Sequence, residues 1–422
     1  MREVVISSIV RTPIGKYGGI LRDIPAFKLA SLTLEGVLKK AKIESNLIDD
    51  VIMGQAYQNG ECANLARVAL LDAGWPVKIT GVTLDRRCCS GLQSIWYGAM
   101  EIQTENSEFV IAGGAENMSQ AEFYVPGQFI KWGMGGFSDS KYGFIPKGHG
   151  YLSLWGIPFY DRIQRARPMS QPIERFGELN SMMSWAEIAA KRENVSRDEA
   201  DRWSLRSHQR AIKAIDSGKF KEEIIPVSIT RKRDEILVFD IDETPRRDTS
   251  LETLAKLPAV YPDGICTAGN SSTENDGAAV ALLTSEKKAK ELGIEILGYL
   301  RSFAVSADDP TLTYTAVPLS VKKALDKANL TIEQIDLIEI QEAFACQTLA
   351  DAKIMGLSKE DCEKKVNVNG SGISLGHPIG ATGTMRLATL LYEMKRQGSR
   401  YGLVTICGGG GQAITVIVER KV

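Results

Sequence analysis

Two stretches of the chain carry the same pattern of apolar and polar positions. VLKKAKIESNLID at 37–49 has apolar residues at helical spacing, then a short polar loop and the start of an apolar run. ALDKANLTIEQID at 324–336 repeats that pattern, with leucine, alanine and isoleucine at equivalent places. Apolar residues at helical spacing followed by a short apolar run predict a helix and then a strand. Both stretches therefore predict the same helix–loop–strand unit.

The similarity continues after both stretches. An apolar strand, a polar turn and a helix follow in each copy, and these helices are expected to end at Gly74 and Gly356. Farther on, 90–116 and 381–411 each predict a helix, a strand and a run of glycines. Alternating strands and helices build mostly parallel sheets covered by helices, the α/β class. The duplication predicts a pseudo-two-fold axis, with equivalent loops of both copies meeting at one site.

The repeat divides the chain into three regions. Residues 1–120 form an N-terminal half, and 251–422 form a C-terminal half whose repeated core begins at about 275. The region 121–250 between them is an insertion. Its first part is rich in glycine and aromatic residues, which is typical of binding loops or lids. Its second part predicts helices, with a capping box and a glycine stop formed by Ser196, Glu199 and Gly218.

The composition is that of an ordinary globular protein. Of the 422 residues, 44% are hydrophobic and 24% are charged, and the net charge is −1. This balance creates no field that attracts nucleic acid or an acidic membrane, so neither is expected as a partner. No apolar run is long enough to span a bilayer. The N-terminus begins as a strand without the layout of a signal peptide, so the expected location is the cytoplasm.

Seven cysteines are scattered along the chain without a CxxC pair. An odd number in a long chain argues against a disulfide framework and a structural zinc site, so no metal is expected. Two of them, Cys88 and Cys89, stand just before a helix predicted to begin near Ser90. The free N–H groups and the dipole at a helix N-terminus stabilise a thiolate, which favours a nucleophile here. The alternative is a small buried residue at a tight turn.

One of the three histidines stands in a motif that predicts chemistry. His377 precedes a proline inside the glycine-rich stretch NVNGSGISLGHPIGATG at 367–383, which holds it in place. This loop is equivalent to the Cys88 loop in the repeat, so the two residues are expected to approach each other, and a neighbouring histidine activates a thiol. His208 lies in a helical pattern and is expected to pack or cap. His149 is expected to be a surface residue or a lid contact.

A third motif, TICGGGG at 405–411, ends a strand in a cysteine that four glycines follow. Glycines let backbone N–H groups approach a ligand closely, which suits an oxyanion hole. Cys407 is a candidate acid or base in such a site. The alternative is a buried cysteine at the end of a strand beside a tight turn.

These three motifs occur together with QEAFACQ at 341–347 and TAGNSSTENDGAA at 267–279. In this combination they resemble the thiolase family over essentially the whole chain. The resemblance implies a five-layer αβαβα fold, built from two duplicated mixed-sheet halves with an inserted loop domain. It also implies a homodimer or a dimer of dimers. CoA is then a co-substrate, and no metal or bound cofactor is needed.

The resemblance also implies a role for each candidate residue. Cys88 is the nucleophile, and Cys89 beside it is packing. His377 activates Cys88 and faces a thioester oxygen, and Cys407 is the second thiol. Backbone N–H groups of Cys88 and Gly409 form the second oxyanion hole. The implied reaction is the cleavage of a 3-oxoacyl-CoA by CoA through an acyl-cysteine, in the degradative direction.

Several positions depart from the family pattern. Gln341 stands where thiolases usually carry Asn or His beside the first oxyanion hole. The sequence SMMSWAE at 181–187 replaces a His-Met-Gly-like segment, and Thr273 replaces a usual glycine. The altered channel implies that CoA binds differently or that an additional small subunit helps to bind it. The residues expected to contact CoA are Ser272, Met183 and Arg247.

The inserted loop also departs from the family. Four aromatic residues and three arginines cluster in it, namely Trp132, Trp155, Phe159, Tyr160, Arg162, Arg165 and Arg167. One interpretation is a pocket for an aromatic acyl group, with an arginine for a second carboxylate. The chain would then resemble the large subunit of benzoylsuccinyl-CoA thiolase. The other interpretation is a dimer-facing loop with ordinary aromatic packing.

Two other functions stay open at this point. A biosynthetic enzyme of the same fold would form acetoacetyl-CoA or act as a ketoacyl synthase. Ketoacyl synthases lack a cysteine in the last glycine loop, so Cys407 argues against them. A non-catalytic acyl-CoA-binding protein would have a broken catalytic set, whereas Cys88, His377 and Cys407 are all present. Only Gln341 and the altered channel favour that reading.

Overall fold

The computed structural model describes residues 2–125, 151–154, 157–177, 182–231 and 234–421. Trp132, His149, Trp155 and Ser181 lie outside these ranges. The described strands β1 to β15 are Val4–Arg11, Gly15–Lys16, Asp50–Gly54, Thr80–Leu84, Phe109–Asn117, Phe123–Tyr124, Tyr151–Leu154, Ile157–Asp161, Val227–Thr230, Ile236–Phe239, Asn275–Ser285, Gly298–Ala307, Leu337–Ile340, Tyr401–Gly408 and Gln412–Glu419. The described helices α1 to α14 are Ala26–Ala41, Leu65–Asp72, Ser90–Gln103, Arg162–Ala166, Ile173–Phe176, Met182–Arg192, Arg197–Asp216, Leu251–Ala255, Glu286–Glu291, Thr313–Ala328, Ala345–Ile354, Lys359–Lys364, Gly372–Leu375 and Ile379–Gln397.

A mixed ten-stranded sheet carries both copies of the repeat. Its N-terminal part has the strand order β4-β3-β5-β11-β1, and its C-terminal part has the order β13-β14-β15-β12. β1 and β12 pair antiparallel and join the two parts. Val366, which bridges to Ile338 of β13, occupies the place that β4 has in the first copy. The same strand order in both parts confirms the predicted duplication.

One strand pairs differently from what its position in the sequence suggests. β11 begins at 275, where the core of the C-terminal half is expected to start, but it pairs with β1 and β5 of the N-terminal part. Its equivalent in the second copy is β15, which lies between β12 and β14. Each copy therefore includes one such antiparallel strand, and in the first copy that strand follows the insertion.

The helices form three layers separated by the two parts of the sheet. α1 and α2 cover the outer face of the N-terminal part, and α10 covers the C-terminal part with α11 packed against it. α3 and α14 lie between the two parts and contact each other. Every residue of α14 from Gly380 to Met394 is buried, as expected for a helix enclosed on all sides. The arrangement is the predicted five-layer αβαβα fold.

The crossing of α3 and α14 depends on glycine. A Cβ atom on Gly383 would lie 2.8 Å from the backbone N of Leu92, and one on Gly91 would lie 3.0 Å from the backbone N of Thr384. Side chains at these positions would force the helices apart. Both helices begin directly after a loop that carries a predicted catalytic residue, so this contact fixes the distance between the two loops.

The inserted region is attached to the sheet by buried charges. Arg11 of β1 donates hydrogen bonds to Glu223 and Asp242, each at 2.7 Å. The predicted capping box at the start of α7 is confirmed, and α7 ends two residues before Gly218, which has a φ of 72°. In the described parts of the chain, no helix has the length and apolar character needed to cross a membrane.

Candidate active site

Cys88 lies in a tight turn between β4 and α3. The hydroxyl of Ser90 accepts a hydrogen bond from the backbone N of Arg86 at 2.8 Å and donates one to the carbonyl of Arg87 at 2.6 Å. Arg87 has a φ of 52°, which turns the chain sharply before the helix. The helix begins at Ser90, as predicted. The turn therefore presents the Cys88 thiol at the N-terminal end of α3.

The neighbouring Cys89 is directed into the core. It is fully buried, and its thiol donates a hydrogen bond to the carbonyl of Ile406 at 3.5 Å. It packs beneath Gly408, where an added Cβ atom would lie 2.9 Å from its sulfur. Consecutive residues at this turn thus point in different directions, and Cys88 is the one that faces the cavity described below.

His377 is held by hydrogen bonds on both sides. Its backbone N donates to Oδ1 of Asn275 at 2.9 Å, and the preceding carbonyl, of Gly376, accepts from Arg386 at 2.7 Å. The hydroxyl of Thr382 donates to the carbonyl of Pro378 at 2.8 Å and lies 2.7 Å from Nδ1 of His377. Because that hydroxyl has only one hydrogen, it must accept from Nδ1–H. Nε2 then carries the lone pair that can accept a proton.

Burial keeps this histidine neutral. Burial is the main cause that lowers the pKa of His377 to about 3, and the positive charge of Arg386 contributes to the same shift. Arg386 is itself fully buried behind the histidine loop. A neutral imidazole whose tautomer is fixed is the form that acts as a general base.

The two thiols at the site are both protonated at rest. Burial raises the pKa of Cys88 to about 11, although Arg87 and the backbone N–H of Gly409 favour its thiolate. Burial also raises the pKa of Cys407 well above its usual range. The backbone N–H groups of Gly409 and of Cys88 itself are near enough to the Cys88 sulfur to favour its thiolate. They are therefore placed to stabilise an oxyanion on an acyl group bound there.

One cavity of about 150 Å³ brings the predicted catalytic groups together. Cys88, His377, Cys407 and Gly409 line it, with Met183 and Ser272 at another part of its wall. A larger cavity of about 690 Å³ adjoins it, and its wall includes the same Met183 and Ser272. The smaller cavity is therefore a reaction chamber that adjoins a wider channel.

A buried carboxylate holds two loops of this chamber together. Oε2 of Glu116 accepts hydrogen bonds from the backbone N of Ala56 at 2.9 Å and of Gly380 at 3.0 Å, and Oε1 accepts from Tyr57 at 3.1 Å. Burial raises its pKa to about 7. Sequence reasoning assigned Glu116 no role, because a single glutamate at the end of an apolar strand gives no sign of its three partners.

Comparison with known protein families identifies the chain. The thiolase N-terminal domain matches residues 4–287, and the thiolase C-terminal domain matches residues 294–420. The chain belongs to the thiolase family. The break between the two matches falls just before β12, so β11 belongs to the N-terminal domain by sequence as well as by strand pairing.

Individual thiolases match along their whole length. The chain is 38% identical to an acetyl-CoA acetyltransferase of Pseudomonas aeruginosa, with 100% of both chains covered, and 39% identical to one of Syntrophomonas wolfei, with 99% of both covered. The structure of the Bacillus anthracis acetyl-CoA acetyltransferase matches with a TM-score of 0.89 at 38% identity over 99% of each chain. Human mitochondrial 3-ketoacyl-CoA thiolase matches with a TM-score of 0.87 at 33% identity over 100% of this chain and 99% of its own. The protein is thus a thiolase-type acyltransferase.

Two residues singled out by the thiolase pattern do not line the reaction chamber. Gln341 is fully buried, and its side-chain oxygen accepts a hydrogen bond from Arg386 at 3.1 Å. Arg247 is exposed and forms an ion pair with Asp216 at 2.5 Å. The preceding residue, Arg246, lines the larger cavity instead.

Proposed function

We propose that this thiolase cleaves a 3-oxoacyl-CoA with CoA through an acyl-Cys88 intermediate, in the degradative direction. The observation that carries the proposal is the single chamber lined by Cys88, His377, Cys407 and Gly409. A thiol nucleophile, a neutral base, a protonated acid and backbone donors are the groups that the reaction needs.

In the first half of the reaction, Nε2 of His377 takes the thiol proton of Cys88, and the thiolate attacks C3 of the substrate. The N–H groups of Cys88 and Gly409 stabilise the oxyanion that forms at C3, and one donor of this kind is worth ~3–4 kcal/mol of barrier. The C2–C3 bond then breaks, and Cys407 gives its proton to C2. The CoA ester that contains C1 and C2 leaves, and the shortened acyl group stays on Cys88.

In the second half, the Cys407 thiolate takes the proton of an incoming CoA thiol. The CoA sulfur attacks the acyl carbon, and the same two N–H groups stabilise the second oxyanion. The bond to Cys88 breaks, and His377 returns its proton to the departing thiolate. The products are two acyl-CoA esters, and all three side chains regain their starting protonation states.

We place CoA along the larger cavity. Ser272 and Met183 stand at its junction with the reaction chamber, where the thiol end of CoA must enter. Lys16 and Arg246 supply positive charge farther along the wall. Such side chains bind phosphate groups well. We therefore propose Arg246 as a phosphate ligand beside the predicted Arg247.

The adjacent cysteines provide a matched test of the intermediate. The purified protein is exposed briefly to a mixed pool of acyl-CoA and 3-oxoacyl-CoA esters, and its peptides are mapped by mass. We expect one acyl adduct, on Cys88, in the unchanged protein and in Cys89→Ser, and no adduct in Cys88→Ser. An adduct on Cys89, or turnover by Cys88→Ser, would contradict the proposal.

The biosynthetic formation of acetoacetyl-CoA is a second candidate. It is favoured by the name acetyl-CoA acetyltransferase, which the Pseudomonas aeruginosa and Syntrophomonas wolfei relatives and the Bacillus anthracis structure carry. The same residues would catalyse it in reverse. Rates measured in both directions with acetyl-CoA and acetoacetyl-CoA, compared with the cleavage of longer 3-oxoacyl esters, distinguish the two candidates. A non-catalytic protein would bind these esters without turnover.

An aromatic acyl group, as in benzoylsuccinyl-CoA, stays a prediction. Tyr160 is buried with Arg165 4.8 Å from its ring, and Arg162 pairs with Glu122 at 2.8 Å. Of the three predicted arginines, Arg167 lines the reaction chamber. Aryl esters therefore belong in the substrate pool, where a benzoyl adduct on Cys88 would support this substrate.

We propose that the protein assembles as a homodimer or a dimer of dimers. Among the strands that the structure describes, β4 lies at the edge of the sheet and pairs with β3 on one side. An open edge strand can pair with a second copy of the chain. An additional small subunit and a cytoplasmic location stay predictions. Calorimetry on the purified chain tests the first of these: if the chain alone binds CoA, no second subunit is needed for binding.

A further inference from the structure

The side chain of Arg87, the residue before Cys88, places a positive charge in the wall of the reaction chamber. The Arg87 guanidinium lines the chamber and lies 5.5 Å from the ring centre of Tyr57. Its Nη1 donates to the carbonyl of Ala56 at 3.1 Å, and its Nη2 donates to the carbonyl of Ala166 at 3.4 Å. These two bonds and the ring hold the guanidinium in one position against the wall.

Arg87 has a weaker acidic partner than the other arginine of the chamber. Its nearest described carboxylate is that of Asp85, 3.7 Å away, and the other oxygen of Asp85 accepts from a backbone N. Arg167, by contrast, is in direct contact with Glu274, which lines the same wall. A partly buried cation whose carboxylate partner is as far as 3.7 Å away is stabilised further by an anion that binds beside it.

The phosphates of CoA are not that anion. Arg87 lines the chamber together with Ala56, Met118 and Ile379, and none of these four lines the larger cavity. This part of the wall therefore lies on the acyl side of the nucleophile. The phosphates are at the opposite end of the CoA molecule from its thiol, so they belong in the wider channel.

We propose that Arg87 binds a carboxylate at the far end of the acyl group, so that the preferred substrate is a 3-oxoacyl-CoA of a dicarboxylic acid. This inference rests on the proposed thiolase function and adds its substrate class. A charged hydrogen bond of this kind raises kcat/KM by ~10–100-fold over an ester that lacks the carboxylate.

The test compares two esters of equal length. 3-Oxoadipyl-CoA ends in a carboxylate and 3-oxohexanoyl-CoA in a methyl group, and each is supplied with excess CoA. We expect the unchanged protein to cleave the first with a kcat/KM ~10–100-fold higher, and we expect Arg87→Gln to bring that ratio close to 1. Arg87→Lys keeps the charge but loses the planar donor pair, so it should retain part of the preference.

Arg86→Gln is the matched control, because Arg86 bonds Gln412 at 3.2 Å and does not line the chamber. It should leave the ratio unchanged. Two results would overturn the inference while the thiolase function stands. The first is that the unchanged protein cleaves both esters with a kcat/KM ratio near or below 1. The second is that Arg86→Gln and Arg87→Gln lose the preference equally. No turnover of either ester and no acyl group on Cys88 would overturn both.

Discussion

At the level of single residues, the resting site holds no charged catalytic pair. The pKa of Cys88 is raised to about 11 and that of His377 is lowered to about 3, so at neutral pH one is a thiol and the other a neutral imidazole. In the proposed mechanism the thiolate therefore forms by proton transfer to His377 when substrate is bound. This differs from a stored thiolate–imidazolium pair, in which the thiol pKa is depressed.

The reactivity of Cys88 toward iodoacetamide tests this electrostatic state. Below its pKa the thiolate fraction of a thiol rises about tenfold for each pH unit. We therefore expect the alkylation rate of Cys88 in the free protein to rise about tenfold per unit from pH 7 to 10 and to level off near 11. The alkylation rate is measured by peptide mass in Cys89→Ser, so that only Cys88 of the pair can react. A rate that is already constant below pH 8 would show a stored thiolate–imidazolium pair instead.

The tautomer of His377 gives a second prediction. Thr382→Val removes the hydroxyl that accepts from Nδ1, and Thr382→Ser keeps it. Losing a hydrogen bond to a buried group costs about 1–3 kcal/mol, so the valine variant should lose ~10–100-fold in kcat. The serine variant should stay within a few-fold of the unchanged protein. Equal activity of both variants would mean that the hydroxyl does not fix the tautomer.

The positions of site residues could be predicted from the sequence where the internal repeat indicated which loops lie close together. Because Cys88 and His377 lie in equivalent loops, their meeting could be predicted from the chain alone. The choice between neighbours could not always be predicted, as Arg246 and Arg247 show. Which of the two faces the channel depends on packing around the insertion and on the distant Asp216, and no local pattern contains that information.

At the level of elements, the contact between α3 and α14 positions the chemistry. Each helix starts at one of the two catalytic loops, and glycines let their backbones meet. The start of α3 at Ser90 was predictable from the cysteine turn and the apolar run after it. The pairing of β11 was not, since its partners β1 and β5 are separated from it by the whole insertion.

Gly383→Ala tests this helix contact. Alanine ordinarily favours a helix over glycine, but here its Cβ atom would lie 2.8 Å from the backbone of Leu92. We expect a loss of about 1–3 kcal/mol in the free energy of unfolding, as for an overpacked core, with a lower kcat. Chemical denaturation and steady-state kinetics measure both effects.

Gly36→Ala in α1 is the control for that variant. There the added Cβ atom would meet the flexible end of Ile225, which can move aside. Its stability should change by less than about 1 kcal/mol, and its activity should not change. Equal destabilisation of the two variants would show that the crossing of α3 and α14 has no special requirement for glycine.

At the level of the whole molecule, the open edge at β4 is the surface on which we expect the second copy. Val82 in this strand is 44% exposed, and Tyr97 and Met100 of the adjacent α3 are 42% and 44% exposed. An edge strand with an exposed apolar side chain is typical of an interface, because natural proteins otherwise protect such edges with charge.

Val82→Lys should separate the copies. Light scattering after size exclusion should give at least twice the chain mass of 46.2 kDa for the unchanged protein and a shift to the single-chain mass for the variant. Ile236→Lys changes another exposed apolar side chain, on β10, and should leave the mass unchanged. If Val82→Lys keeps the mass of the unchanged protein, β4 is not the interface.

The duplicated architecture has a consequence for how such a site can arise. Two identical half-length chains around a true two-fold axis would present the same side chain from both loops, and any substitution would appear on both sides. Joining the copies in one chain removes that constraint, because each loop can then change alone. A thiol from one copy can face an imidazole from the other. The covalent connection of the two copies therefore permits an asymmetric site, while the sheet keeps the same strand order in both parts.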